Sequence, residues 1–263
     1  MSQLTETLKN SPVEVILTVL CLVGMVVFVP LFLKAAWPKK NPKSLLFKMI
    51  CATFFVAIAV LQMRIANNHS TFALYMLGGF ILSWFGDMFL HIPNDKYNKI
   101  CYPLGVLSFL SGHVFFVLAY VTAGTQLLDT GVFTIFELAA LLPICLGIFI
   151  YLIRKSKATG NKILPFLVIY AVAVVAMMVK ATSLGIGLFI GGEQSLLVAF
   201  LLALGGILFV TSDLLLLLID FCDTPGKPVR FKTPKMKNIN IWTYFTAQVL
   251  LAMSILFINT NVG

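Results

Sequence analysis

Leu-Leu-Val-Ala-Phe-Leu-Leu-Ala-Leu-Gly-Gly-Ile-Leu-Phe-Val-Thr-Ser-Asp-Leu-Leu-Leu-Leu-Leu-Ile, residues 196–219, carries a single charged side chain, Asp213. At 1.5 Å per residue the run is long enough to cross the roughly 30 Å hydrocarbon layer of a bilayer, so it reads as a transmembrane helix. Gly-Gly-Phe-Ile-Leu-Ser-Trp-Phe-Gly-Asp-Met-Phe-Leu, residues 78–90, has the same character, with Asp87 as its one charge. A carboxylate inside a span is costly and generally marks function. The remainder of the 263-residue chain matches these runs, being 60% hydrophobic and only 11% charged. That is too little polar surface to coat a soluble globule, and it predicts an integral membrane protein.

Windows of about 19 residues predict an all-α bundle of eight transmembrane helices, over 13–33, 44–63, 72–90, 101–121, 132–153, 163–182, 195–219 and 240–260. They fill 1–263 as one domain with no soluble part. The glycine-rich stretch 183–194 leaves room for a short re-entrant turn. The first apolar segment lacks a secretory cleavage site and reads as helix 1. The five cysteines (Cys21, Cys51, Cys101, Cys145, Cys222) are scattered and suggest neither a disulfide framework nor a metal site.

The net charge of +9 does not point to nucleic acid, because the basic residues crowd into alternate loops. Lys34, Lys39, Lys40, Lys43 and Lys48 follow helix 1, and Lys96 and Lys99 follow helix 3. Arg154, Lys155, Lys157 and Lys162 follow helix 5, and Lys227, Arg230, Lys232, Lys235 and Lys237 follow helix 7. Of the 19 lysines and arginines, the other side holds only Lys9, Arg64 and Lys180. The positive-inside rule then places both termini on the non-cytoplasmic side.

Helices 3 and 7 therefore both run toward the cytoplasm, which puts Asp87 and Asp213 some 5–10 Å below that boundary. Ser83, Ser108, Tyr170, Thr211, Ser212, Tyr244 and Gln248 reach a similar depth, so one shared polar pocket is expected. Under the competing account the two aspartates snorkel to water or cap a neighbouring helix. Asp220 and Asp223 lie at the boundary and read as loop residues. Glu137 and Lys180 are expected to neutralise each other between helices 5 and 6. His113 reads as a hydrogen-bonded core residue or the floor of the pocket. It is two residues from Ser111, so the pair does not share a helix face, and no G-x-S-x-G elbow is present. His69, His91 and His113 differ in side or depth, and neither a metal nor a cofactor is called for. The Gly-Gly…Asp pattern of helices 3 and 7, four helices apart, suggests two parallel four-helix halves.

Four segments carry a family resemblance: Phe-Gly-Asp-Met-Phe-Leu (85–90), Gly-Val-Leu-Ser-Phe-Leu-Ser-Gly-His-Val-Phe-Phe-Val-Leu-Ala-Tyr (105–120), Gly-Gly-Ile-Leu-Phe-Val-Thr-Ser-Asp-Leu-Leu-Leu (205–216) and Tyr-Phe-Thr-Ala-Gln-Val-Leu-Leu (244–251). In order and spacing, over about 75–255, they resemble the YhhN-like family of membrane lysoplasmalogenases, although the basic loop between helices 7 and 8 is longer than that pattern expects. The resemblance implies a hydrolase that cleaves the vinyl ether bond of a lysophospholipid to a fatty aldehyde and glycerophosphoethanolamine or glycerophosphocholine. Its two acidic positions map to Asp87 and Asp213. The expected partners are the lipid substrate and membrane lipids, in the endoplasmic reticulum of a eukaryote or the inner membrane of a bacterium. Two carboxyls suit the chemistry, one protonating the β-carbon and the other stabilising the oxocarbenium ion. Ser83, Ser108, His113, Tyr170, Ser212, Tyr244 and Gln248 are candidates for the surrounding shell, and Lys96, Lys99, Lys227 or Arg230 for the phosphate. The rival readings are a proton-coupled carrier with the acids as relay, a different membrane lipid hydrolase, and a non-catalytic scaffold.

Overall fold

The computed structural model describes residues 10–37, 39–93, 98–155, 164–222 and 229–260, the side chains of 98, 99, 152, 155, 164 and 221 excepted. Lys9, Lys96, Lys157, Lys162, Asp223 and Lys227, and the side chains of Lys99 and Lys155, lie outside that set. The described residues form eight helices and no strand: α1 (Pro12–Ala35), α2 (Pro42–Ile65), α3 (Thr71–His91), α4 (Asn98–Leu127), α5 (Ile135–Lys155), α6 (Leu164–Ile190), α7 (Leu196–Phe221) and α8 (Pro234–Ser254). Six of them, all but α5 and α8, are long and apolar enough to cross a membrane. Two of the eight expected spans thus fall short of that measure. The described apolar part of α5, Ile135–Tyr151, is short, and α8 carries Asn240, Tyr244 and Gln248, all buried, among its apolar residues.

Local chemistry sets the ends. Asn41 and Ser44 start α2 with a reciprocal capping box, Ser44 N donating to Asn41 Oδ1 at 2.8 Å and Asn41 N to Ser44 Oγ at 3.0 Å. Ser70 caps α3 by accepting from Ala73 N. The start expected for α8 at 240 is six residues late, because Thr233 accepts from Met236 N at 3.3 Å and Pro234 occupies the first turn. Hydropathy does not register such a start. Thr233→Ala is expected to cost about 1 kcal/mol, measurable as a lowered unfolding midpoint in detergent. The ends expected at 121 and 182 also move, to Leu127 and Ile190. No re-entrant turn interrupts 183–190. A Cβ on Gly185 would lie 3.0 Å from the Ala199 Cα, so the glycine admits α7 against α6, and the chain reverses only at Gly192, with φ +76°.

Six helices close a ring, in which α2 meets α3, α3 meets α4, α4 meets α6, α6 meets α7, α7 meets α8, and α8 returns to α2. Outside it α1 lies on α2 and α8, and α5 lies on α6. Shifting every label by four maps this ring onto itself and the α1–α2 contact onto α5–α6. The contact order therefore supports the two four-helix halves suggested by the glycine and aspartate pattern. Glu137 and Lys180 pair at 2.9 Å, both nearly fully buried, and join α5 to α6 as expected. Glu137 also takes the Thr134 N–H, completing the cap of α5.

Candidate active site

The interior of the ring is aromatic, built from Phe55, Phe80, Phe109, Phe116, Phe209 and Phe245. Two polar clusters are set into it. In the first, Asp87 on α3 is 1% exposed. Its Oδ1 lies 2.8 Å from Lys48 Nζ on α2, and its Oδ2 accepts the Tyr244 hydroxyl of α8 at 2.8 Å. In the second, Asp213 Oδ2 on α7 is 2.9 Å from His113 Nε2 on α4 and accepts the Tyr170 hydroxyl of α6 at 2.9 Å. The imidazole and the tyrosine hydroxyl are themselves 3.4 Å apart. The four-helix shift relates the clusters: α3 to α7 for the acids, α2 to α6 for Lys48 and Tyr170, and α8 to α4 for Tyr244 and His113. Each acid is held by the preceding helix of its own half and the last helix of the other.

Depth leads to one shared polar pocket, and the acids in it sit in two clusters, each with its own partners. Phe209 packs on the His113 ring at 4.9 Å between centroids and on the Tyr244 ring at 5.6 Å, so its ring touches both clusters. Asp213 is still within Coulombic range of Asp87 and Tyr244. Each carboxyl has a local partner, which dispenses with carboxyl-to-carboxyl contact. The clusters also differ in access. A narrow cleft runs between α4, α6 and α7 and is lined by Leu90, Tyr102, Val106, Phe109, Leu167, Tyr170, Asp213, Leu216, Leu217 and Asp220. Asp213 and Tyr170 border it, and Asp87 does not.

Lys48, His113, Tyr170 and Tyr244 thus touch the acids. Ser83 and Gln248 lie one turn from Asp87 and Tyr244, fully buried. The Gln248 amide is beside the Tyr244 hydroxyl, but neither its nitrogen nor its oxygen, nor Ser83 Oγ, has a hydrogen-bonded partner among the described residues. Three other candidates point elsewhere. Ser108 donates to Leu82 O at 2.6 Å and ties α4 to α3. Ser212 Oγ and O accept from Asn240 Nδ2 and tie α7 to α8. Thr211 returns its hydroxyl to Ile207 O of its own helix. The Ser108 and Thr211 hydroxyls take the nearest free acceptor, which is backbone. Asp220 is no loop residue, since it lies in the last turn of α7 and lines the cleft. His91 bonds Ser44 Oγ at 2.9 Å near the start of α2. No three His, Cys, Asp or Glu side chains converge among the described residues.

The YhhN family profile matches residues 43–255, which span both clusters and all six helices of the ring. The chain belongs to the YhhN family. This is the family of lysoplasmalogenases and is associated with hydrolase activity. No curated protein and no solved structure matches the chain significantly. The matched segment begins at the capping box of α2, so the YhhN region includes Lys48 and leaves α1 outside.

Proposed function

We propose that this YhhN protein hydrolyses the vinyl ether bond of 1-alkenyl lysophospholipids, yielding a fatty aldehyde and a glycerophospho-amine, in a cleft that faces the cytoplasm. One observation carries the reading. Asp213, supported by His113 and Tyr170, forms the floor of an apolar cleft whose mouth lies at the basic end of the bundle.

A vinyl ether is cleaved by protonating its β-carbon, which leaves an oxocarbenium ion. Asp213 is the proton donor. His113 and Tyr170 both hold its Oδ2, which fixes the plane of the carboxyl toward the bound alkene. Phe109, Val106, Leu167 and Leu216 exclude bulk water from the alkene carbons. Water then adds to the carbon bonded to the ether oxygen, and the Asp213 carboxylate takes back a proton from it. The hemiacetal collapses by breaking its bond to the glycerol oxygen, which leaves as the alcohol. Asp87, paired with Lys48 and Tyr244 and within Coulombic range of Asp213, supports the reacting acid from the neighbouring cluster. Gln248 and Ser83, whose side-chain polar atoms have no hydrogen-bond partner among the described residues, each suit a bound water, because an unsatisfied buried polar group costs about 1–3 kcal/mol.

The test is purified protein in lipid nanodiscs with 1-alkenyl, 1-acyl and 1-alkyl lysophosphoethanolamine in D2O. The expected result is aldehyde from the alkenyl lipid alone, deuterated once at the carbon next to the carbonyl, because protonation occurs there. Fatty acid release from the acyl lipid at an equal or faster rate would replace the reading with an ester hydrolase.

A further inference from the structure

At the end of the ring away from the basic loops, α8 stops at Ser254, and its last carbonyls have no further helical turn to bond to. Ile255, Leu256 and Phe257 tighten there, each returning its N–H to the carbonyl three residues back. The chain runs on to Ile258, which like Ile255 is fully buried. The carbonyls of this segment are met by side chains from two other turns. Asn68 Nδ2, between α2 and α3, donates to Ile255 O at 3.1 Å and to Ile258 O at 2.6 Å. Gln194 Nε2, between α6 and α7, donates to Phe257 O at 2.9 Å. Asn68 is 0% exposed, and its Oδ1 accepts Ser70 N, which fixes the orientation of the amide. The two amides correspond under the four-helix shift. Each stands the same number of residues before the acid of its own half, Asp87 or Asp213, and each comes just after a left-handed residue, Asn67 with φ 48° or Gly192 with φ 76°. One segment is thus held by both halves.

Beneath the segment the interior is polar. Ser254 and Gln248 of α8 are both 0% exposed, and the Gln248 amide has no hydrogen-bonded partner among the described residues. Water entering at this end would reach that amide and, one turn further along α8, the Tyr244 hydroxyl on Asp87. A bundle wet at both ends, with two carboxyls inside, would offer protons a path through the bilayer. We propose that residues 255–258 are a plug that closes the ring at this end, clasped by Asn68 and Gln194, so that water reaches the interior from the cleft end. The plug is independent of the hydrolase reading. It opens by local unfolding, and each carbonyl bond removed raises the open fraction about 5-fold.

Thiol labelling tests the plug. In full-length protein with Cys21, Cys101, Cys145 and Cys222 replaced by serine, Ser254→Cys reports on the segment, and the native Cys51, 0% exposed on α2, reports on the rest of the bundle. A charged, water-soluble maleimide is added to the protein in nanodiscs, and the two sites are read separately by peptide mass spectrometry. With both clasps present, Ser254→Cys is expected to label as slowly as Cys51. Gln194→Ala speeds it about 5-fold and Asn68→Ala, which removes two carbonyl bonds, about 30-fold, with the Cys51 rate unchanged. Labelling at Ser254→Cys that neither substitution accelerates overturns the plug. So does a Cys51 rate that rises in step, because the segment would then open only when the whole bundle does.

Discussion

Asp213→Asn is expected to lower aldehyde release from 1-alkenyl lysophosphoethanolamine about 10³-fold, within the range that a positioned general acid contributes. The amide is isosteric and still accepts the Tyr170 hydroxyl at its oxygen, so the fold and the cleft are retained. What it loses is the proton that goes to carbon. Protonation of carbon is the difficult step of vinyl ether cleavage, so kcat falls, while binding of the uncleavable alkyl analogue changes little. Single-turnover aldehyde release and analogue binding, measured side by side, separate these effects. A variant with more than a tenth of wild-type turnover would transfer the proton donor's role elsewhere, with His113 next in line.

Lys48→Met is expected to act on stability, lowering it by about 3–5 kcal/mol, since it leaves Asp87 as a charge without a counter-ion 1% exposed in an aromatic interior. Met keeps the length of the stem, so the loss belongs to the ammonium. The diagnostic is the double variant Lys48→Met with Asp87→Asn. Removing both charges leaves Tyr244 bonded to a neutral amide and is expected to recover most of the stability. Unfolding in a denaturing detergent series measures all three proteins. A double variant no more stable than Lys48→Met alone would mean that the ammonium acts through packing, not through Asp87.

The two acids and the helices that carry them were legible because a charge in a long apolar run is conspicuous, and a run of that length has few alternatives to a span. Helix ends were less so. Hydropathy does not register Thr233-Pro234, which starts α8 through a cap and a fixed φ, or the glycines of α6, which serve close packing instead of ending the helix. Lys48 counts with the basic residues that set orientation, which gives no hint of its pairing with Asp87. The signal was nevertheless present, since the predicted second helix begins at 44, which puts Lys48 as far inside the bundle as Asp87. His113 is expected in the core or at the floor of a pocket, but its pairing with Asp213 depends on α4 and α7 both packing on α6, a long-range choice of neighbours that no local pattern encodes. Nor does sequence depth reveal that Phe209 packs on a ring of each cluster, or that Asp213 borders the cleft and Asp87 does not.

The closure of α8 onto α2 has a consequence for how the protein is made. Helices enter the bilayer in order from the translocon, and the last to emerge delivers Tyr244 to Asp87 and Phe245 to Phe32 and Phe55. Until then, α2 and α3 must wait in lipid with a carboxylate and an ammonium on an unfinished surface, tolerable only because the two charges already neutralise each other. Nascent chains arrested before residue 234 should therefore be targets for membrane quality control, and Lys48→Met should shorten the lifetime of those intermediates more than that of the finished protein.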